Sequence, residues 1–211
     1  MKEIDRILND DEKILWEGMP QFLPFIAMSG LLSLFGLIFM MAGLIPAIAG
    51  FATGDPQAIF ISLLIPHFWI GAGLFFGVPI YRILVHQFSH YAVTNRRVII
   101  QSGLIGRDFK FVDYDQLSNA EVNVGIVDIL FARGKTGSIL LSTAGTFVHG
   151  KHGPIARPYS LSNINDPYEV FKFFKKVSFD IKTDQNYPNK LRPDTNPGYK
   201  TDYPVETPEK K

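Results

Sequence analysis

Residues 24–48, PFIAMSGLLSLFGLIFMMAGLIPAI, and residues 58–81, AIFISLLIPHFWIGAGLFFGVPIY, hold no charged side chain, and from Gly18 to Tyr81 the only charge is Asp55. At a rise of about 1.5 Å per residue, each segment is as long as the ~30 Å hydrocarbon layer is thick. A helix on the surface of a soluble protein keeps a polar face, and neither segment has one. Between them, Thr53-Gly54-Asp55-Pro56 reads as a tight turn. Asp55 caps the second helix there, and Pro56 takes its first position, where a missing N–H costs nothing. The reading is a transmembrane α-helical hairpin over residues 22–85.

Outward from the hairpin, the pattern changes on both sides. In residues 1–21, Ile4, Ile7, Leu8 and Leu15 fall near one helical face, which predicts an amphipathic N-terminal helix on the membrane surface or on a soluble domain. Beyond Tyr81 the periodicity turns to that of strands. Arg97–Gln101 is a β-branched run, Asp108–Phe111 and Ala120–Val124 alternate, and Ser138–Thr143 is a further short run. Val127–Phe131, between two of these, reads as one helical turn. Asp166-Pro167-Tyr168-Glu169 has the order of a capping box, and Val170, Phe173, Phe174 and Val177 then recur at helical spacing. Residues 86–179 therefore predict a mainly β domain, an antiparallel barrel or sandwich, closed by a C-terminal helix. Residues 180–211 hold five prolines and no aliphatic run, and read as an extended or disordered tail.

Charge is unevenly spread over the 211 residues, whose net is +1. Residues 1–21 carry three Lys/Arg against six Asp/Glu, and residues 82–179 carry twelve against seven. That is an ordinary surface rather than a dense basic stripe, and no nucleic-acid motif accompanies it. Without cysteine, disulfides, thiolate metal sites and thiol catalysis are excluded. Lys2, Arg6 and Lys13 precede the hairpin, Arg82, Arg96 and Arg97 follow it, and its turn has no Lys or Arg. The positive-inside rule then predicts two spans with both termini cytoplasmic. No cleaved leader is expected, because the first apolar span is too long and the segment before it is acidic.

Three stretches together resemble a known family: Tyr91–Ile100 (YAVTNRRVII), Ser102–Arg107 (SGLIGR) and Gly134–Ile139 (GKTGSI) are similar to the bacterial pleckstrin-homology-like domain. Asp11–Gly18 (DEKILWEG), followed by two apolar helices, is similar to that family's membrane-anchored layout. The resemblance spans roughly residues 8–178. It implies a seven-stranded, partly open PH-like barrel closed by the helix that begins at Asp166. It also implies a non-catalytic interaction module in a bacterial inner membrane, with other membrane-protein subunits, further copies of the chain or membrane lipids as partners. Phe147–Pro158 departs from the pattern as an enlarged polar loop.

No catalytic constellation, cofactor or metal site is predicted. His149 and His152 supply two metal ligands without a third, and His86 and His90, four apart, read as polar flank at the membrane boundary. His67, after Pro66, reads as a neutral imidazole near a helix break. Arg96 and Arg97 lie in the first hairpin turn of the barrel, which makes them candidates for lipid headgroups. The competing reading is that one of them is a structural tether to a carboxylate. Within the hairpin, Ser29 and Ser33, Gly43 and Ala47, and Gly73 and Gly77 stand at the four-residue spacing that lets helices approach closely, either within one hairpin or between subunits. Tyr187, Tyr199 and Tyr203, spaced among prolines, make the tail a candidate partner-binding segment.

Overall fold

The computed structural model describes residues 3–104, 108–143, 147–150, 153–156 and 158–186. Two compact units share the chain. Residues 22–87 form one, and the described residues on either side of them form the other.

The apolar unit begins with a short helix, α1 (Phe22–Ala27), and continues as α2 (Gly30–Thr53). The return limb comes in pieces: α3 (Pro56–Leu64), α4 (Pro66–Ala72), a π-turn over Gly73–Gly77 and α5 (Val78–His86). Gly30–Thr53 and Pro66–His86, of 24 and 21 residues, are long and apolar enough to cross a membrane. The turn forms as its residues dictate. Gly54 takes the left-handed φ of 70° that ends α2, and Asp55 accepts from the N–H groups of Gln57 (2.9 Å) and Ala58 (3.3 Å). The second limb, however, is not the continuous helix expected over 58–81. Ile65 adopts φ −67°, ψ 125°, the extended backbone that a following proline imposes.

The second unit takes the chain from both sides of the hairpin. Its strands are β1 (Ile14–Gly18), β2 (His90–Thr94), β3 (Arg97–Ser102), β4 (Asp108–Asp113) and β5 (Leu117–Asn123). After the short helix α6 (Ile126–Ala132) come β6 (Thr136–Thr143), β7 (Phe147–Gly150), β8 (Gly153–Ala156) and β9 (Tyr159–Asn165), and α7 (Pro167–Asn186) follows. The first four strands form one antiparallel sheet in chain order, and a second has the order β5-β6-β9. The enlarged loop is a two-stranded ribbon of β7 and β8, with His149 opposite Pro154. His152 lies outside the described residues.

Four expectations need correction. Residues 14–18 are not helical: Ile14 to Gly18 pair with Thr94 to Tyr91, so they form an edge strand of the second unit. The barrel is, among the described residues, two sheets that are not hydrogen-bonded into a closed ring. The last helix does not stop near Val177 but runs through Asp180 to Asn186. Ile181 joins its buried face, and Lys182 Nζ donates to Leu117 O (2.9 Å). The expected capping box is not how that helix starts. Asp166, at φ 46°, accepts from Asn165 Nδ2, while Glu169 pairs with Lys172.

The two sheets and α7 share one core. Val93, Val98, Ile100 and Val112 meet Leu117, Ile139, Leu141, Leu161 and Ile164, and Val170, Phe174 and Val177 lie among them. The outer face of the four-stranded sheet is also covered. Ile4, on the 3-10 turn Glu3–Arg6, packs with Ala92 and Ile99, and Ile7 and Leu8 add to the cover. Burial on both faces explains why β2 and β3 read as nearly continuous apolar runs rather than alternating ones.

Candidate interaction surfaces

The turn between β2 and β3, Thr94-Asn95-Arg96-Arg97, grips the residues just before β1. Arg97 forms a two-pronged pair with Glu12, from Nε to Oε1 (3.0 Å) and from Nη2 to Oε2 (2.9 Å). Thr94 Oγ1 donates to Oε1 (2.8 Å) and the N–H of Asn9 to Oε2 (3.2 Å), so the carboxylate is hydrogen-bonded on both oxygens. The side chain of Glu12 is 0% exposed and that of Arg97 18%. Burial alone would raise the Glu12 pKa. The hydrogen bonds from Arg97, Thr94 and Asn9, with the charge of Arg97, outweigh it and hold the carboxyl below its usual range. The guanidinium also lies over the Phe111 ring at 4.4 Å and donates to Ile7 O (3.2 Å). Beside it, Arg96 pairs with Asp11, and Asn95 Oδ1 accepts from the backbone N–H of Lys13 (2.9 Å). Both headgroup candidates are thus engaged by carboxylates of the N-terminal segment. For Arg97 this is the tether reading.

Within the apolar unit a seam of small residues runs along α2. Ser33, Gly36, Gly43, Ala47 and Gly50 are buried. A Cβ on Gly36 would lie 2.6 Å from the backbone N of Phe75, and one on Gly50 2.8 Å from the Cβ of Ala58. Across from them, Gly71 admits the backbone of Met40. Ser29 is buried at the start of this line, its Oγ donating to Ile26 O (2.7 Å). Gly73 and Gly77 do not belong to the seam. Both are exposed, a Cβ added at either would meet nothing within 4 Å, and they bound the π-turn instead. Four-residue spacing identifies a stripe but not the side it faces. Gly36, Gly50 and Gly71 escaped the sequence reading because their partners lie on the opposite limb.

At the end of the hairpin nearest its termini, Phe22 and Phe25 stand against the His86 ring (5.2 and 5.7 Å). Arg82 lies over Phe25 at 5.1 Å and donates to Phe25 O (3.2 Å). Aromatic rings and a cation gathered at one helix end are what a membrane–water boundary favours. His86 ends α5 whereas His90 begins β2, so they share no face. His67 stands in α4 with its ring 4.8 Å from that of Phe39. Tyr187, Tyr199 and Tyr203 lie outside the described residues.

One site went unread. In α6, Asp128 is buried while Ile126, Ile129, Leu130 and Phe131 are exposed. Oδ2 of Asp128 accepts from the Gly125 N–H (3.0 Å), and Oδ1 accepts from Thr136 Oγ1 (2.7 Å) and Asn163 Nδ2 (2.9 Å). An acid within an apolar run was the available signal.

A family model described as a bacterial PH domain matches residues 29–166. Among solved structures, a DUF1696 family protein with a pleckstrin-homology domain from Shewanella loihica PV-4 is similar at 17% identity, covering 43% of this chain and 71% of that one with a TM-score of 0.29. No curated protein matches the chain.

Proposed function

The chain belongs to the bacterial PH domain family, and from that premise we propose that it is a non-catalytic, membrane-anchored interaction module, an oligomeric scaffold or an accessory subunit of a membrane-protein complex. The observation that carries this reading is the pairing of β1 with β2. One strand precedes the apolar hairpin and the other follows it, so the hairpin is an insertion into the folded unit. Both of its ends must then lie on one side of any bilayer it enters. With the Lys/Arg flanks, that side is the cytoplasmic face of a bacterial inner membrane. The exposed Gly73 and Gly77 leave a shallow strip on the outside of the hairpin, suited to a helix of another subunit. Tyr187, Tyr199 and Tyr203 would lie along a neighbouring subunit as extended chain.

Headgroup recognition at Arg96 and Arg97 has less support, since each guanidinium already has a carboxylate partner. The test is gentle detergent extraction followed by particle sizing and mass spectrometry. Further copies of the chain or other polypeptides in the particle are expected. A single chain in its micelle under every gentle condition would overturn the subunit reading. For topology, Thr53→Cys should react with an impermeant thiol reagent from outside the cell, and Asp115→Cys should not.

A further inference from the structure

We propose that α6 is a second, interfacial anchor: Ile126, Ile129, Leu130 and Phe131 enter the headgroup–acyl boundary of the membrane, and Arg133 and Lys135 meet anionic headgroups. The inference rests on the spanning reading of the hairpin and adds to it the surface by which the soluble unit meets lipid. Its first support is that α6 is built inside out. The only buried side chain of the helix is Asp128, whereas Ile126 is 76% exposed, Ile129 57%, Leu130 71% and Phe131 53%. Four large apolar side chains held in water within six residues mark a surface made for apolar company.

The arrangement is fixed rather than incidental. Asp128 is held by the Gly125 N–H, Thr136 and Asn163 beneath the helix, and this leaves no other face for the apolar side chains. Arg133 closes the helix in the left-handed conformation at φ 54°, and both it and Lys135 are exposed. The exposed charges from 126 to 135 are therefore both positive, because the one acid of the stretch is used internally. Apolar side chains rimmed by cations match an anionic bilayer surface, where such helices sit about 5–10 Å deep. Asp166 is the nearest acid along the adjoining strand end, its N–H donating to Lys135 O (2.9 Å).

Position supplies the second support. Asn163, whose Nδ2 binds Asp128, accepts from the N–H of Gln21 through its backbone oxygen (2.7 Å). Gln21 is the last residue of this unit before the apolar hairpin. Two hydrogen bonds through a single residue thus link α6 to the point where the chain departs for the membrane. A lipid surface is the partner already present at that point, which favours lipid over a protein that would have to be recruited.

The cysteine-free chain allows a direct test on the full protein, reconstituted in vesicles of phosphatidylcholine with phosphatidylglycerol. An environment-sensitive fluorophore is placed at Leu130→Cys, at Ile126→Cys as a second α6 probe, at Asp115→Cys and at Ile38→Cys. Spin-labelled lipid should quench both α6 probes and iodide should not reach them, while the Asp115 probe behaves oppositely. Arg133→Gln or Lys135→Gln should each lower the docked-to-free ratio roughly fivefold, the factor equivalent to about 1 kcal/mol per basic residue. If the Ile38 probe is quenched by lipid but the α6 probes are as open to iodide as that at Asp115, the anchor is overturned. Shielding of α6 from both quenchers would overturn it too, in favour of a protein cover. If lipid fails to quench the Ile38 probe, the spanning reading itself falls and the anchor with it.

Discussion

Glu12 and Asp128 are both buried carboxylates, yet they have opposite effects on the apolar surface around them. Glu12 is neutralised by a guanidinium from a turn 85 residues away, and that pair draws the N-terminal segment over Ile99 and Ala92. Asp128 takes neutral donors, an N–H, a hydroxyl and an amide, from within 35 residues, and so turns its own helix apolar side outward. One acid closes a hydrophobic face and the other opens one. The difference lies in what each carboxylate is attached to: a segment that must be pulled in, or a helix that must be rolled over. A buried acid is thus a statement about orientation before it is a statement about chemistry.

The contrast breaks most severely at Arg97. Arg97→Ala leaves the Glu12 carboxylate buried without its countercharge, and the β-sheet unit should lose about 3–5 kcal/mol. Denaturant unfolding of the detergent-held chain, followed by Trp16 fluorescence in a Trp69→Phe background, measures it. A loss no larger than that of a surface pair would show that Glu12 does not need its partner. Asp128→Ala comes next. It strips Thr136 and Asn163 of their acceptor and should cost about 1–3 kcal/mol, with faster amide exchange in α6 than in β2. Equal exchange would mean that something else orients the helix.

Acid tests the Glu12 site directly. Glu12 has a lowered pKa in the fold, so its contribution to stability is full above the ordinary glutamate value of 4.5 and is lost as pH falls below that toward the folded pKa. Protection of the Asn9–Lys13 amides, measured against the intrinsic exchange rate at each pH, should therefore fall on acidification below that point, and the fall should vanish in Glu12→Gln. The smallest effect belongs to Arg96→Ala. Its pair with Asp11 is solvent-exposed and should contribute only ~0.2–1 kcal/mol, screened by salt.

What the sequence made legible is local. Uncharged length gave the apolar hairpin, Asp55-Pro56 its turn, and Phe174 and its neighbours the face of the last helix. What it hid depends on distant partners. Ile4, Ile7, Leu8 and Leu15 do fit a helical face, but Leu15 lies in a strand whose partner begins only at His90, and no local pattern reports that. Gly73 and Gly77 carry the spacing, but spacing does not report which side of the limb it serves, and a Cβ at either meets nothing of the hairpin within 4 Å. Arg97 offered a charge without an address until Glu12 came into view. At α6, the isolated Asp128 was visible from the start. Its meaning depended on Thr136 and Asn163 lying beneath it.

The strand pair β1–β2 has a consequence for how the chain is made. Residues 14–18 leave the ribosome before the hairpin, and their partner emerges only after the whole hairpin has been synthesised. Until then the first strand has an open edge and no neighbour, and closing so long a loop through unstructured chain is entropically unfavourable and slow. On the proposed spanning reading, a hairpin that has already entered the bilayer brings its two ends together and shortens that loop to a few residues. On that reading insertion is expected to come before the sheet, and β1 to be among the last strands to find its place.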